Sequence, residues 1–569
     1  MRKLGTIIVV IITVSTAVAQ DVTLIGEGTR EVEKAYRIAG SPQIIDTTIP
    51  MATVDYPLLQ LQFDTESEVS RIDPVSIRTV DKLAKLYHTY IKLGVGTELM
   101  PLGEIYFDAT RSRKFLYGAH LKHLSSFGNI PERAPAQFDR TRFGLYGTLN
   151  QKKYTLGGNI HYNNQGLHYY GISDTLGLDK DSTAQRYSDF GMDIKYASHK
   201  KDSSHFNYSV GMAYNNYSSK KPLEADLEDW RTKENYFALE TSGEYLLGKE
   251  VFAADFNIRY NGYKYGVVGI TGADALDTAI VRNNTVVNLK PTITTTLQDN
   301  RFKAKVGLDL VVDGATDKVR AHLYPIAELK YSMFNDIFIP YVGLRGGLTQ
   351  TTFKGLTNEN EFLLPTVYME NEHKAIDFYG GFKGTMSKRI SFNIGANFAN
   401  VKNMGMFVND TINSLGNKFN VIYDTANVAT IEGSISYQLQ EKFKFDAIGR
   451  FHSYSLVNNS YAWNRPNLEV ILRGSYNLFD KFLFNLDVNM EQGRRALVSG
   501  PGENITLENG QYAKKLDFIA DANFSVEYRY NPRISAFLQL NNIASQRYMR
   551  WYEAPVQSFQ VLGGVTFRL

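Results

Sequence analysis

The chain has 569 residues, and its 62 Lys and Arg against 59 Asp and Glu give a formal net charge of only +3. This near balance, without a basic tract or a nucleic-acid motif, argues against a nucleic-acid-binding protein. The chain contains no cysteine, which excludes disulfides, thiolate metal sites and a lipoprotein anchor.

Residues 1–19 are predicted to be a secretory signal peptide. Arg2 and Lys3 precede an apolar run from Ile7 to Val14, and Ala17-Val18-Ala19 resembles a small-residue cleavage site. The run is shorter than the roughly 20 residues of a membrane helix, so an uncleaved anchor is the less favoured alternative. Residues 20–87 contain four prolines and several polar runs, and we expect them to form an extended periplasmic or lumenal strap.

Residues 88–569 are predicted to form a transmembrane β-barrel. Apolar and polar side chains alternate over long stretches, for example 302–312 and 482–491, and a period of two places them on opposite faces of a strand. Strands of about ten residues with one apolar and one polar face are typical of outer-membrane barrels. A soluble sandwich or propeller also alternates, but its strands are usually shorter.

Short polar turns divide this region and allow the strands to be counted. Ten are predicted, near residues 111–114, 150–153, 200–203, 248–250, 298–301, 334–336, 387–389, 440–442, 479–481 and 531–533. Longer segments such as 264–283, 355–373 and 492–514 lie between them. Bacterial barrels have short periplasmic turns and longer outside loops. Ten turns join ten pairs of strands, and one further strand at each end gives about 22, with both ends on the periplasmic side.

The C-terminal residues resemble those of a known family. Tyr530-Asn531-Pro532-Arg533 leads into an alternating strand, Ile534–Leu540, and then into Asn542-Ile-Ala-Ser545-Gln-Arg-Tyr548. This is similar to the penultimate strand of TonB-dependent receptors, where an Asn-Leu-x-Asn/Asp-x-x-Tyr motif precedes the final strand. Ser545 departs from the motif. The segment 109–126 is similar to barrels of this kind that lack a recognisable plug domain.

The resemblance implies an outer-membrane location in a diderm bacterium. It also implies contact with lipid and lipopolysaccharide, recognition by the barrel insertion machinery, and TonB or an outer-membrane complex as a partner. The run Asp21–Ile25 faintly resembles a TonB-contacting segment. Residues 20–87 are, however, much shorter than the plug domain of such a receptor. Because an open 22-stranded tube would leak, we expect the lumen to be filled by residues 20–87, by inward-folded long loops or by a partner protein.

No catalytic, cofactor or metal site is predicted, and the residues of any binding site are unknown. The ten His are scattered, and His120 and His123 are an odd number of residues apart, which places them on opposite faces of a strand. Long loops such as 355–373 and 492–514 are where contacts with a ligand would lie. The glycine-rich strands, which contain Gly343 with Gly346-Gly347, Gly380-Gly381 and Gly563-Gly564, are predicted to serve curvature and close packing.

Charged residues on the inner face of the barrel allow two interpretations. Asp255 with Arg259, and Asp446 with Arg450, could line a permeation path. A solvated wall with cross-strand ion pairs is the favoured interpretation for any one of them.

Two functions remain open, and neither is enzymatic. The first is transport of a solute across the outer membrane, through a gated pore or by energised uptake. The alternative is a non-transporting barrel that acts as a scaffold or accessory subunit of an outer-membrane protein complex.

Overall fold

The computed structural model describes residues 86–109, 112–199, 206–219, 232–267, 278–297, 301–315 and 318–569. The predicted signal peptide, the run Asp21–Ile25 and residues 20–85 of the predicted strap lie outside this part of the chain. Within it, no helix is long and apolar enough to cross a membrane.

The described residues form 27 strands and two short α-helices. The strands are β1 (Thr89–Gly96), β2 (Met100–Asp108), β3 (Phe115–Ser126), β4 (Phe138–Asn150), β5 (Tyr154–His168), β6 (Ala184–Ser198), β7 (Phe206–Ser219), β8 (Lys233–Leu247), β9 (Glu250–Val267), β10 (Thr278–Leu297), β11 (Phe302–Ala315), β12 (Lys318–Tyr331), β13 (Ile339–Thr349), β14 (Glu372–Ser387), β15 (Ile390–Asp410), β16 (Lys418–Leu439), β17 (Phe443–Leu456), β18 (Leu468–Leu478), β19 (Phe482–Gln492), β20 (Arg495–Val498), β21 (Ile505–Glu508), β22 (Gln511–Lys515), β23 (Ile519–Arg529), β24 (Ile534–Asn541), β25 (Met549–Trp551), β26 (Ala554–Pro555) and β27 (Gln560–Arg568). The helices are α1 (Lys180–Thr183) and α2 (Phe353–Glu359), and a 3-10 turn spans Asp174–Leu176.

Strands β1 to β19 with β23, β24 and β27 form one closed antiparallel barrel of 22 strands. The first strand closes the ring on the last, with a register from Tyr90↔Arg568 to Gly96↔Leu562. The predicted fold class and strand number are therefore confirmed.

All ten predicted short turns fall between consecutive strands that pair with each other, from β2–β3 to β23–β24. Residues 111, 200–203 and 298–300 of these turns lie outside the described residues. The strand ends that flank the turns lie at the same end of the barrel as Thr89 and Arg568, and we name this the turn end. The opposite end carries the longer connections and is the loop end. Two connections at the loop end are short, since only residues 97–99 separate β1 from β2 and only residues 316–317 separate β11 from β12.

The side chains alternate as the sequence predicted. On β11, Val306, Leu308 and Leu310 are exposed on the outer face, whereas Val311 is buried on the lumen side. The outer face therefore presents an apolar surface to the surroundings of the barrel, as a membrane-spanning strand requires.

The predicted long loops contain more regular structure than expected. The segment 355–373 includes most of α2, and 492–514 includes most of a three-stranded sheet of β20, β22 and β21. The segment 264–283 was predicted as a loop, but β9 continues to Val267 and β10 starts at Thr278. These two strands keep pairing as far as Thr278↔Val267, because a regular ladder continues to satisfy their backbone groups beyond the apolar region.

Close approach of backbones explains the glycines at the closure of the ring. A Cβ added to Gly564 would lie 2.0 Å from the carbonyl oxygen of Leu93 and 2.6 Å from the Cα of Gly94. No larger residue fits at this position without moving a strand, which confirms the predicted packing role for Gly564.

Candidate functional site: the covered end of the lumen

The connection between β13 and β14 folds into the lumen at the loop end. We name residues 350–371 the lumen segment; it contains α2. Phe353, Leu363 and Val367 of this segment are 0% exposed. A loop surrounded by water would leave such side chains hydrated, so their burial shows that the segment is packed against the inner wall.

This packing reaches from one side of the barrel to another. A single hydrophobic cluster joins the lumen segment to Leu167 of β5, Tyr265 of β9, Phe419 of β16 and Trp551 of β25. Because β9 and β16 are seven strands apart around the ring, the cluster crosses the lumen. Burial of each large apolar side chain contributes about 1.5–3 kcal/mol, so the lumen segment is held by a core of its own.

Helix α2 is fixed at its N-terminus by a buried carboxylate. Glu234 of β8 accepts hydrogen bonds from the backbone N–H groups of Phe353 and Lys354, and from the side-chain amide of Asn261 at 3.2 Å. The side chain of Thr352 caps the same turn by accepting from the N–H of Gly355 at 3.0 Å. The first N–H groups of a helix have no partner within the helix, and a negative charge there is favourable.

Two ion pairs tie the lumen segment to neighbouring strands. The Nζ atom of Lys354 lies 2.9 Å from Oδ1 of Asp189 on β6, and an Arg140 guanidinium nitrogen on β4 lies 2.8 Å from Oε2 of Glu361. Gln165 of β5 also donates to Glu361. The segment is thus attached to β4, β5 and β6 through charged groups as well as through its core.

Hydroxyl groups satisfy the irregular backbone of the lumen segment. Tyr169 donates to the carbonyl of Leu363 at 3.0 Å, and Tyr263 donates to the carbonyl of Pro365 at 2.8 Å. Burial raises the pKa of Tyr169 to about 12, so its hydroxyl keeps the donated proton near neutral pH. Buried backbone carbonyls need such partners, and here strand-end side chains provide them.

The segment also joins the opposite wall through its backbone. The N–H of Leu364 donates to the carbonyl of Phe419 at 2.9 Å, and the N–H of Phe419 donates to the carbonyl of Phe362 at 2.9 Å. These bonds form a parallel bridge to β16. The lumen segment is therefore bonded at both walls and spans the space between them.

Two further connections are packed at the loop end. Trp463, in the β17–β18 connection, is fully buried beside Met406 of β15 and Ala513 of β22. Arg494 is also buried and donates to the carbonyls of Met549 and Arg550, both at 2.8 Å. Burial lowers the pKa of Arg494, yet a guanidinium stays protonated in proteins. Its charge therefore joins the three-stranded sheet to the β24–β27 connection.

The family-like motif near the C-terminus builds that connection. The side-chain amide of Asn542 donates to the carbonyls of Gln546 at 2.8 Å and Gln557 at 3.0 Å, and Tyr548 donates to Asp521 at 3.0 Å. Ser545, the departure from the motif, has a φ of 53°. This is a left-handed conformation, which Asn and Asp adopt more readily than most other residues do.

Between the lumen segment and the turn end, charged side chains line the inner wall in cross-strand pairs. Arg450 lies 2.7 Å from Glu432 and 3.4 Å from Glu469, and Arg259 lies 3.4 Å from Glu240. Each arginine therefore pairs with a neighbouring strand. These pairs fit the interpretation of a solvated wall with cross-strand ion pairs, and the permeation path stays a prediction.

Asp446, the other residue singled out on this wall, accepts a hydrogen bond from Ser436 and lies 3.2 Å from Lys444. It too is paired locally and not with Arg450. Asp446 is thus part of the same paired wall.

The two neighbouring histidines occupy opposite faces of β3, as predicted. The ring of His120 lies against Tyr106, with centroids 6.2 Å apart, on the lumen side, whereas His123 bonds to Thr141 at 2.8 Å on the outer side. In the part of the chain that the structure describes, no group of three His, Asp or Glu is arranged to hold a metal ion.

Sequence reasoning missed the anchoring residues Asp189, Glu234 and Tyr263. Each is an inward polar residue near the loop end of a strand, and many similar residues lie at equivalent positions. Only the return of residues 350–371, more than 80 positions further along the chain, distinguishes them. No local signal in the sequence could have identified them.

The chain is similar to known proteins in structure but not in sequence. No family model matches the chain, and no curated protein matches it. The FrpB iron transporter of Neisseria meningitidis is 8% identical with a TM-score of 0.64, covering 86% of this chain and 82% of that one. The siderophore receptor PiuA of Acinetobacter baumannii is 12% identical with a TM-score of 0.59, covering 86% and 82%.

The ferric-catecholate import receptor Fiu of E. coli K12 is 10% identical with a TM-score of 0.60, covering 85% of this chain and 82% of that one. At such low identities these similarities show a shared fold. The chain has the 22-stranded barrel architecture of TonB-dependent receptors, as its C-terminal motif predicted.

Proposed function

We propose that this protein transports a solute across the outer membrane through its polar lumen, with the lumen segment as a gate at the cell surface. The observation that carries the proposal is the hydrated inner wall. Side chains of Glu240, Arg473 and Asp487 on this wall are 59%, 61% and 54% exposed. A wall of exposed charges of both signs accommodates a hydrated solute, as in other water-filled barrels.

The barrel fold and the transport receptors among its structural neighbours support an outer-membrane location and a non-enzymatic role. The turn end then faces the periplasm, because short turns do so in bacterial barrels. The neighbours' names describe import, which favours movement from the loop end to the turn end. If uptake is energised, TonB would be engaged from the periplasmic side, where the first strand begins at Thr89.

The lumen segment can be tested as a gate because the chain has no cysteine. Cysteines introduced by Arg140→Cys and Glu361→Cys would replace an ion pair between wall and segment. Joining them with a short bis-maleimide should abolish uptake of the transported solute in cells. Either single variant treated with the same reagent should retain uptake, since no covalent link then joins the segment to the wall.

A second measurement tests transport itself. Purified protein in planar bilayers should conduct more when residues 353–364 are replaced by a glycine–serine linker. The proposal of transport is wrong if the wild type, the linker variant and a linker variant lacking residues 20–87 all fail to conduct and no uptake in cells depends on the protein.

A scaffold barrel is the second candidate, and the dry packing of the lumen segment favours it. Phe353 and Leu363 are as fully buried as residues in a protein core, which suits permanent closure. Crosslinking in native membranes separates the two functions. A stoichiometric partner together with an immovable lumen segment supports the scaffold, whereas a barrel recovered alone counts against it.

A further inference from the structure

The wall of the barrel is incompletely paired at one place, between β12 and β13. Residues 327–330 pair with residues 341–344, which gives four register pairs. In contrast, β11 and β12 share fourteen pairs and β13 and β14 share ten. Within the described residues, 318–326 of β12 therefore have a ladder neighbour only on the β11 side. We name this stretch the free edge of β12.

The sequence explains why pairing stops there. Pro325 has no N–H to donate and lies two residues beyond the last pair, a position typical of strand edges. A Cβ at Gly346 of β13 would lie 2.5 Å from Cδ1 of Tyr324 and 2.8 Å from the carbonyl of Ala375. Glycine thus allows β13 to pass across the lumen face of β12. Leu348, two residues on, packs against the buried cluster on the lumen face of β10 to β12.

The exposure of the outer face agrees with a missing neighbour, and two polar atoms on the lumen side have no partner. Leu323 on the outer face is 61% exposed, whereas Leu310, its cross-strand partner on β11, is 40% exposed. On the inner side, the hydroxyl of Tyr324 and Nε2 of His322 are buried without a hydrogen-bond partner. Closed barrels normally leave no open edge, because unpaired backbone groups at membrane depth are costly.

We propose that the free edge of β12 is a strand-addition site for an extended segment of a partner protein. An added strand would supply main-chain hydrogen bonds along the edge. Lys318, Arg320 and His322 alternate on its lumen side, and Val319 and Leu323 alternate on its outer side. Opposite charges are favoured across a strand pair. The partner segment should therefore alternate acidic and apolar residues.

A second copy of this chain fits the edge less well. Antiparallel pairing of two free edges would bring the basic residues of both copies onto one side, where like charges repel. The strand-addition site does not depend on transport, because it needs only the unpaired edge of β12, although Lys318 and Arg320 line a cavity together with Glu370 of the lumen segment.

Site-specific photocrosslinking in intact cells tests this proposal with the full chain. A photoreactive p-benzoylphenylalanine is placed at Val319, Ala321 or Leu323, one position at a time. Matched control positions are Leu310 and Val312 of β11, which face the same way but pair on both sides. We expect crosslinks to one partner polypeptide, within a segment that alternates acidic and apolar residues. Moving the photoreactive residue by two positions along β12 should move the crosslinked residue of the partner by two positions. The controls should give no polypeptide adduct.

Charge reversal sharpens the test. Lys318→Glu together with Arg320→Glu should lower the adduct yield at least about tenfold by placing like charges opposite each other. The matched pair Lys318→Arg with Arg320→Lys should keep it, and heat-modifiable mobility checks that each barrel is folded. Adducts only with lipopolysaccharide, adducts only with a second copy, equal adducts from the β11 controls, or no adduct at all would each overturn the proposal.

Discussion

At the scale of single residues, one buried carboxylate decides how the lumen segment is held. Glu234 is almost fully buried and faces the start of α2, where two backbone N–H groups point at it. Its position on β8 follows from strand alternation alone. Its function depends on a helix more than 110 residues further along the chain, so the residue could be placed from the sequence but its role could not.

We expect Glu234→Ala to loosen the lumen segment by about 1–3 kcal/mol, because it leaves buried N–H groups unsatisfied. Local opening should become roughly 5- to 150-fold more frequent. Hydrogen exchange of the amides in α2, measured in lipid nanodiscs, reports this directly. Glu240→Ala removes an exposed carboxylate from the same strand and should leave exchange unchanged. Equal exchange in the two variants would show that Glu234 does not anchor the segment.

At the scale of elements, two neighbouring glycines give β13 its path into the lumen. Gly346 faces Tyr324, whereas a Cβ added at Gly347 would meet nothing within 4 Å. The strand bulges between Arg345 and Gly347, where its register with β14 shifts. The glycine-rich run was expected from the sequence to serve curvature. Only the pairing of β12 and β13 shows that these glycines let β13 pass across the lumen face of β12.

Gly346→Val should therefore destabilise the barrel, whereas Gly347→Ala should be tolerated. Overpacking of a filled site typically costs about 1–3 kcal/mol, and the valine must displace an aromatic ring and backbone oxygens. Unfolding in urea, followed by heat-modifiable mobility in lipid, measures the difference. A barrel as stable with Gly346→Val as with Gly347→Ala would mean that β13 does not pass so close to β12 in the membrane.

At the scale of the whole molecule, the barrel has two unlike ends. The turn end consists of short connections, whereas the loop end is built from the lumen segment, the three-stranded sheet and the β24–β27 connection. Trp551 and Arg494 join these parts. Closure of the loop end is therefore a cooperative property of several loops, and the surface that faces the cell exterior should be the ordered one.

Labelling of single cysteines tests this orientation. Gly500 lies at the loop end, where a Cβ meets nothing within 4 Å, and Asp480 is an exposed residue of a short turn. In intact cells, a membrane-impermeant maleimide should label Gly500→Cys and should leave Asp480→Cys unlabelled. Both should react after the cells are opened, which controls for reactivity. The reverse pattern would invert the assignment of the two ends.

The sequence alone determined the barrel, its 22 strands and the separation of short turns from long loops. These follow from a period of two and from local turn residues, which act over a few neighbouring positions. Three ways of filling the lumen stayed open at that stage. The tertiary structure showed that an inward-folded loop, residues 350–371, covers the loop end.

The tertiary structure alone also showed where the wall is left unpaired. Both features depend on contacts between residues far apart in the chain, such as Glu234 with Phe353 and Tyr324 with Gly346. A local pattern fixes which way a side chain points, but the partner it meets is set by how the whole ring closes.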